Sequence, residues 1–220
     1  MKHEIAADEG SAASPTAKQA TGRRTRSDGR RSREKILLAA AQLATVEGID
    51  GLSIGRLADH IGMSKSGLFA HFGSKQELQL AAIDTAERIF TDDVLAPAMA
   101  ESDGLPRLEA LCDRFLSHVG RRVFPGGCFF ASIAAELDTR PGPVRDRVTD
   151  IARAWMALLA NAAGEGQRLG QLDPELDPEQ LAFELDALLA LGNSLFLLDG
   201  AQALERARRG ISDRLDRART

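Results

Sequence analysis

Leu52-Ser53-Ile54-Gly55-Arg56-Leu57-Ala58-Asp59-His60-Ile61-Gly62-Met63-Ser64-Lys65-Ser66-Gly67-Leu68-Phe69-Ala70-His71-Phe72-Gly73-Ser74-Lys75-Gln76-Glu77-Leu78 reads as two short helices joined by a tight turn, followed by the head of a third. Ser53 is placed to cap a helix whose inward face is Ile54, Leu57, Ala58 and Ile61. Gly62 supplies a turn conformation that a residue with a Cβ resists. Ser64 can cap a second helix that runs to about His71 and buries Leu68 and Phe72. Ser74-Lys75-Gln76-Glu77 has the form of a capping box opening a long helix. The pattern predicts a helix-turn-helix, whose second helix fits the DNA major groove. Ser64, Lys65, Ser66 and Gly67 lead that helix and are small or polar, leaving room to approach base edges. Its N-terminal N–H groups suit phosphate.

Working outward, Ile36, Ala40 and Leu43 recur at helical spacing from about Arg30, and Gly48 is placed to end that helix. The helix from Ser74 carries Leu78, Ala82, Ile83, Ala86 and Phe90 inward until Pro97 ends or kinks it. Further helices are expected at about Leu105–Val119, Cys128–Leu137, from Val144, Pro178–Leu198 and Ala201–Arg217. Asp177 caps the penultimate one, with Pro178 at its first position. The expectation is an all-α protein of about nine helices and no strand. Residues 1–28 form a disordered basic arm, 29–75 a three-helix DNA-binding domain, and 76–220 a larger helical ligand-binding and dimerisation domain.

Charge follows the same division. The net charge is −4 overall, but residues 1–75 carry 12 Lys and Arg against 8 Asp and Glu, and residues 76–220 carry 16 against 24. A basic module joined to an acidic body suits a polyanionic partner for the first part alone. Between Lys18 and Lys35 stand eight cations and two anions. Such a segment is a solvated tail, an arm that follows phosphates, or both. No apolar run is read as reaching about 18 residues, the length of a membrane span, and the first thirty residues lack the apolar core of a signal peptide. This reading places the chain in the cytoplasm. There, Cys112 and Cys128 are expected as free thiols packed like small hydrophobes.

The stretch Arg30–Ala82 resembles the DNA-binding domain of the TetR family of transcriptional regulators, above all in the residues quoted from Leu52 to Leu78. The resemblance implies that Ser53, His71 and Lys75 meet the phosphate backbone and that Lys65, Ser66, Gly67 and Ala70 face the groove. Where the family commonly has tyrosine, this chain has Phe69. Its contact would be apolar, for instance with a thymine methyl; plain core packing is the competing reading. Asp103–Arg217 is similar, more loosely, to one of the family's divergent ligand domains, through Gly126-Gly127-Cys128-Phe129-Phe130 and Arg140-Pro141-Gly142-Pro143-Val144-Arg145.

Eight of the ten aromatic residues lie from Phe90 onward. Any one of them is more simply core, but together they can line an apolar pocket between helices. Phe115, His118, Phe129, Phe130, Trp155 and Phe183 are the candidate ligand-binding residues. The helix from Pro178 to Leu198 is apolar on more than one face, which predicts a partner subunit, with Gly192 permitting its close approach. The expected partners are a double-stranded palindromic operator, a second copy of the chain, and a small hydrophobic effector that releases a repressor from DNA.

Rival readings lack motifs. Gly67…Gly73-Ser74-Lys75 has five residues between its glycines and no preceding strand, unlike a phosphate loop. The four histidines and two cysteines have no metal-ligand spacing, and no cofactor motif is read. An enzyme is therefore not expected. A thiol-based redox-responsive regulator, acting through Cys112 and Cys128, is the other alternative.

Overall fold

In the computed structural model, which describes residues 17–137 and 141–220, nine helices follow one another and no strand occurs among those residues. They are α1 (Ala17–Glu47), α2 (Ile54–Ile61), α3 (Lys65–Phe72), α4, α5 (Leu105–Gly120), α6 (Phe129–Leu137), α7 (Pro143–Arg168), α8 (Pro178–Asp199) and α9 (Ala201–Asp216). α4 consists of α-helical Lys75–Phe90, π-helical Thr91–Leu95 and α-helical Ala96–Met99 in unbroken succession. The widening has a cause in Pro97. Its ring would clash with the carbonyl of Asp93 in a regular helix, and i→i+5 bonding, such as Ala96 N–H to the Thr91 carbonyl, accommodates it.

Compactness divides the described chain between Lys35 and Ile36. α1 nevertheless begins at Ala17, so residues 17–28, expected to be disordered with the rest of the arm, are helical. Ala17, Lys18, Gln19, Ala20 and the following arginines are small or straight-chain residues that lose little freedom in a helix. They extend a helix already begun, which is far easier than nucleating one. Residues 1–16 of that arm lie outside the described residues.

Within 36–220 there are two apolar clusters. The first joins Ile36, Ala40 and Leu43 of α1 to Leu57, Leu68, Phe72, Leu78 and Ile83, the inward positions of α2, α3 and α4. It also takes in Phe124, Phe129, Ile133 and Val148, so it extends into the α5–α6 loop, α6 and α7. The second is built from α5, α7, α8 and α9, with Phe90 and Val94 of α4. At about 25 cal/mol per Å² of apolar area removed from water, such clusters are the main drive to fold.

α8 has buried and exposed apolar faces. Leu181, Leu185, Leu189 and Phe196 are buried, whereas Phe183, Leu191 and Leu198 are 62%, 56% and 79% exposed. With a mean hydropathy of 1.6 over its most apolar window, α8 is long and apolar enough to cross a bilayer by length and composition, contrary to the sequence expectation. Its inner face is instead part of the body's core. Gly192, expected to admit a partner helix, faces α9 of the same chain. A Cβ there would lie 2.7 Å from the Cβ of Ala207.

Candidate functional site

The three serines expected as caps perform that role. Ser53 Oγ accepts the Arg56 N–H at 3.2 Å, Ser64 Oγ that of Gly67 at 3.2 Å, and Ser74 Oγ that of Glu77 at 3.1 Å. Gly62 holds φ 68° and ψ 29°, the left-handed conformation that closes α2 and turns the chain into α3. Leu68 and Phe72 pin α3 inward while Lys65, Ser66, Phe69 and Ala70 are exposed on its outer side. Phe69 is 58% exposed, so it is not the core residue of the competing reading. Gly67 is half-buried and His71 exposed. Lys65 lays its chain over α2, its Cε and Nζ 3.7 Å from where a Cβ of Gly55 would stand.

Lys75 donates from Nζ to the Asp50 carbonyl at 2.5 Å, so it also ties the α1–α2 loop to the start of α4. Arg56 pairs with Glu47 through Nε at 2.7 Å, fixing α2 against the end of α1. The bond from Arg56 holds the Glu47 carboxyl below its usual range. Sequence reasoning missed both ties, since their partners look like ordinary surface charges.

A second feature is a cavity of about 190 Å³ between α4, α5, α6, α7 and α8. Phe90, Phe115, Phe130 and Trp155 supply its aromatic walls, with Cys128, Ile151 and small alanines completing them. Trp155 stacks on Phe115 with 5.9 Å between ring centroids, and Phe90 stands edge-on to Trp155 at 5.5 Å. Of the expected ligand-binding residues, Phe115, Phe130 and Trp155 are brought together here. The other three are not. Phe183 points outward from α8, and Phe129, one residue from Phe130 and so turned away, enters the first apolar cluster.

His118 is buried beside the cavity rather than in its wall. The Asp93 carboxylate accepts from His118 Nδ1 at 2.6 Å and from Arg121 Nη2 at 2.5 Å. Burial lowers the His118 pKa below its ordinary range, the Asp93 bond opposing this, and Nε2 is buried without a partner among the described residues. The π-helical turn brings Asp93 to this position.

Asp186 of α8 is the wall residue that the sequence reading missed. Its Oδ1 accepts the Trp155 Nε1–H at 2.8 Å. Burial raises its pKa and the indole bond opposes the rise. A signal existed: Asp186 is the sole charged residue between Glu184 and Asp199 in an apolar run. Cys112 and Cys128 are both buried, and burial pushes their thiols up to about 12 and about 11. Reactive cysteines have the opposite character, exposed and easily ionised.

α6 joins the two features. Its Phe130, Ala131 and Ala134 line the cavity, while Phe129 and Ile133 pack with α1–α4. Glu136 Oε2 accepts the backbone N–H of Ile49 at 3.0 Å. In the loop before α6, Gly126 N–H donates to Thr45 Oγ1 at 3.1 Å, and a Cβ at Gly126 would fall 1.9 Å from the Thr45 carbonyl oxygen. Only glycine permits that approach.

A capped helix-turn-helix with an exposed second helix, on a helical body, defines a DNA-binding transcriptional regulator. Residues 36–82 match the family described as bacterial regulatory proteins, tetR family, and residues 104–211 match the tetracyclin repressor-like C-terminal domain. The chain belongs to the TetR family of transcriptional regulators. It is 25% identical to the probable HTH-type transcriptional regulator ArpR of Pseudomonas putida, over 90% of this chain and 96% of ArpR. It is 24% identical to the HTH-type transcriptional regulator TtgR, also of Pseudomonas putida, over the same shares. A TetR transcriptional regulator of Chloroflexus aurantiacus has a crystal structure that superposes with a TM-score of 0.79 at 27% identity, covering 87% of this chain and 98% of that one.

Proposed function

We propose that the protein is a homodimeric repressor that a small, largely hydrophobic effector releases from a palindromic operator. In this reading residues 29–75 are the DNA-reading head, 76–220 the effector-binding and dimerisation body, and the cations of residues 1–28 add contacts to phosphate. Lys65, Ser66, Gly67, Phe69 and Ala70 face the groove, with Ser53, Ser64, His71 and Lys75 towards the backbone. The exposed apolar side of α8, with Phe183, Leu191 and Leu198, meets its counterpart in a second copy.

The observation that carries the reading is the double role of α6, with the aromatic cavity on one face and the head's apolar cluster on the other. A molecule filling the cavity must press on α6 and on Phe90 of α4, and both helices run into that cluster. A tenfold loss of operator affinity requires about 1.4 kcal/mol of such coupling. Protein–DNA selection from a random library, followed by operator titrations with hydrophobic compounds, tests the reading. It expects an imperfect palindrome with half-sites about 34–36 Å apart and release by some of the compounds. Enrichment of no sequence would overturn the DNA-reading part.

A further inference from the structure

The cavity is not uniformly apolar. Four aromatic side chains, Phe90, Phe115, Phe130 and Trp155, surround a space whose polar wall is the Asp186 carboxylate. Oδ1 is held by the Trp155 indole, which fixes the carboxylate's direction. Among the described residues, no Lys or Arg lines the chamber. A carboxylate left half-buried without a counter-cation is costly, and aromatic faces attract a cation that has shed its water.

We infer that the effector chamber selects organic cations, a substituted ammonium whose charge lies against Asp186 and whose carbon groups contact Phe90, Phe115, Phe130 and Trp155. This deepens the reading of the cavity as an effector site and rests on it. The size agrees: a cavity of about 150 Å³ admits benzene, and this one is about 190 Å³. A single aromatic ring bearing a compact ammonium head is the scale of ligand it holds. Burial keeps the Asp186 pKa raised in the empty chamber, against the Trp155 bond, and a bound cation would reverse that tendency. Arg145 and Arg153 line an adjoining groove on the far side of Ala134 and Ala152. They would instead favour an anion, so the test must include one.

Trp155 is the chain's single tryptophan and forms a wall of the chamber, so intrinsic fluorescence of the full-length protein reads occupancy directly. The probes are phenyltrimethylammonium, its uncharged isostere tert-butylbenzene, and benzoate. The expected result is at least tenfold tighter binding of the cation than of the isostere. In Asp186→Asn, whose amide oxygen still accepts the Trp155 N–H, that preference should fall by about tenfold, with tert-butylbenzene unaffected. Equal binding of cation and isostere, a preference that survives Asp186→Asn, or tighter binding of benzoate would each overturn the inference while leaving an effector cavity. If none of the three probes perturbs Trp155, the inference falls, and release of operator by other hydrophobic compounds then decides the broader reading separately.

Discussion

Glu136, near the end of α6, accepts the backbone N–H of Ile49 at 3.0 Å and so bonds the wall of the cavity to the loop that follows α1. Ile49 is fully buried, and its carbonyl is taken by Gln79 Nε2 at 2.6 Å, so both its backbone groups are satisfied by side chains far along the chain. Burial raises the Glu136 pKa and the Ile49 bond opposes it, the balance expected of a carboxylate kept for a structural contact.

Replacing Glu136 with Ala should leave the Ile49 N–H without its acceptor and cost about 1–3 kcal/mol. Glu136→Gln keeps an oxygen there and should recover most of the loss. Urea denaturation measures both. Equal stability of Glu136→Ala and wild type would mean that water replaces the carboxylate at no cost. The Ala variant should also transmit effector binding to the operator less strongly than the Gln variant.

The DNA-facing side chains separate by role. Lys65→Ala should cost about 1–3 kcal/mol per half-site and relax base preference, whereas Lys75→Ala should weaken specific and random DNA alike and lower the salt slope by about 1. Because Lys75 also holds the Asp50 carbonyl, its loss should lower stability slightly. Phe69→Ala should change stability by no more than about 0.5 kcal/mol, as an exposed side chain does, yet reduce operator affinity. Anisotropy titrations on selected and scrambled duplexes check all three. A Phe69→Ala protein that is unstable but binds normally would return Phe69 to the core.

Much of the fold is legible in the residues. The serine caps and Gly62 mark the helix-turn-helix, and Pro178 with Asp177 marks the start of α8, because these signals act over a few residues. The cavity is only half legible. Aromatic composition points to Phe115, Phe130 and Trp155, but which face of α6 each of two adjacent phenylalanines takes depends on tertiary packing, so Phe129 and Phe130 cannot be told apart. Phe183 misleads for the same reason: α8 has apolar residues all round, and periodicity does not say which side a neighbour covers. The ties from Lys75 to Asp50 and Glu136 to Ile49 span 25 and 87 residues, beyond any local pattern.

His118 should give stability a pH dependence. Its folded pKa lies below the ordinary 6.5 because burial outweighs the Asp93 bond. Between the two values the unfolded chain binds more protons, so stability should fall as pH drops below about 6.5 and level off above it. Asp93 is depressed from 3.8 by Arg121 and His118 against the opposing effect of burial, so its contribution is present above 3.8 and is lost at lower pH, as its folded value is passed. In His118→Asn the first slope should vanish and the second remain. Urea midpoints measured across the acid range decide the matter; an unchanged slope near 6 would assign it to another group.

The exposed apolar side of α8 should hold two subunits together. Leu191→Asp with Leu198→Asp changes residues that are 56% and 79% exposed, so the fold should survive while the dimer dissociates. Sedimentation and circular dichroism distinguish the outcomes. A folded double variant that stays dimeric would move the interface elsewhere.

The most direct test of the central claim is the affinity of a cavity ligand, read from Trp155 fluorescence, with and without saturating operator DNA. If filling the chamber releases DNA, linkage requires operator to weaken ligand binding by the same factor that ligand weakens operator binding. A factor of ten or more in both directions is the predicted result. A ligand that quenches Trp155 with the same affinity whether or not operator is bound would contradict the account, because the chamber would then be occupied without switching the protein.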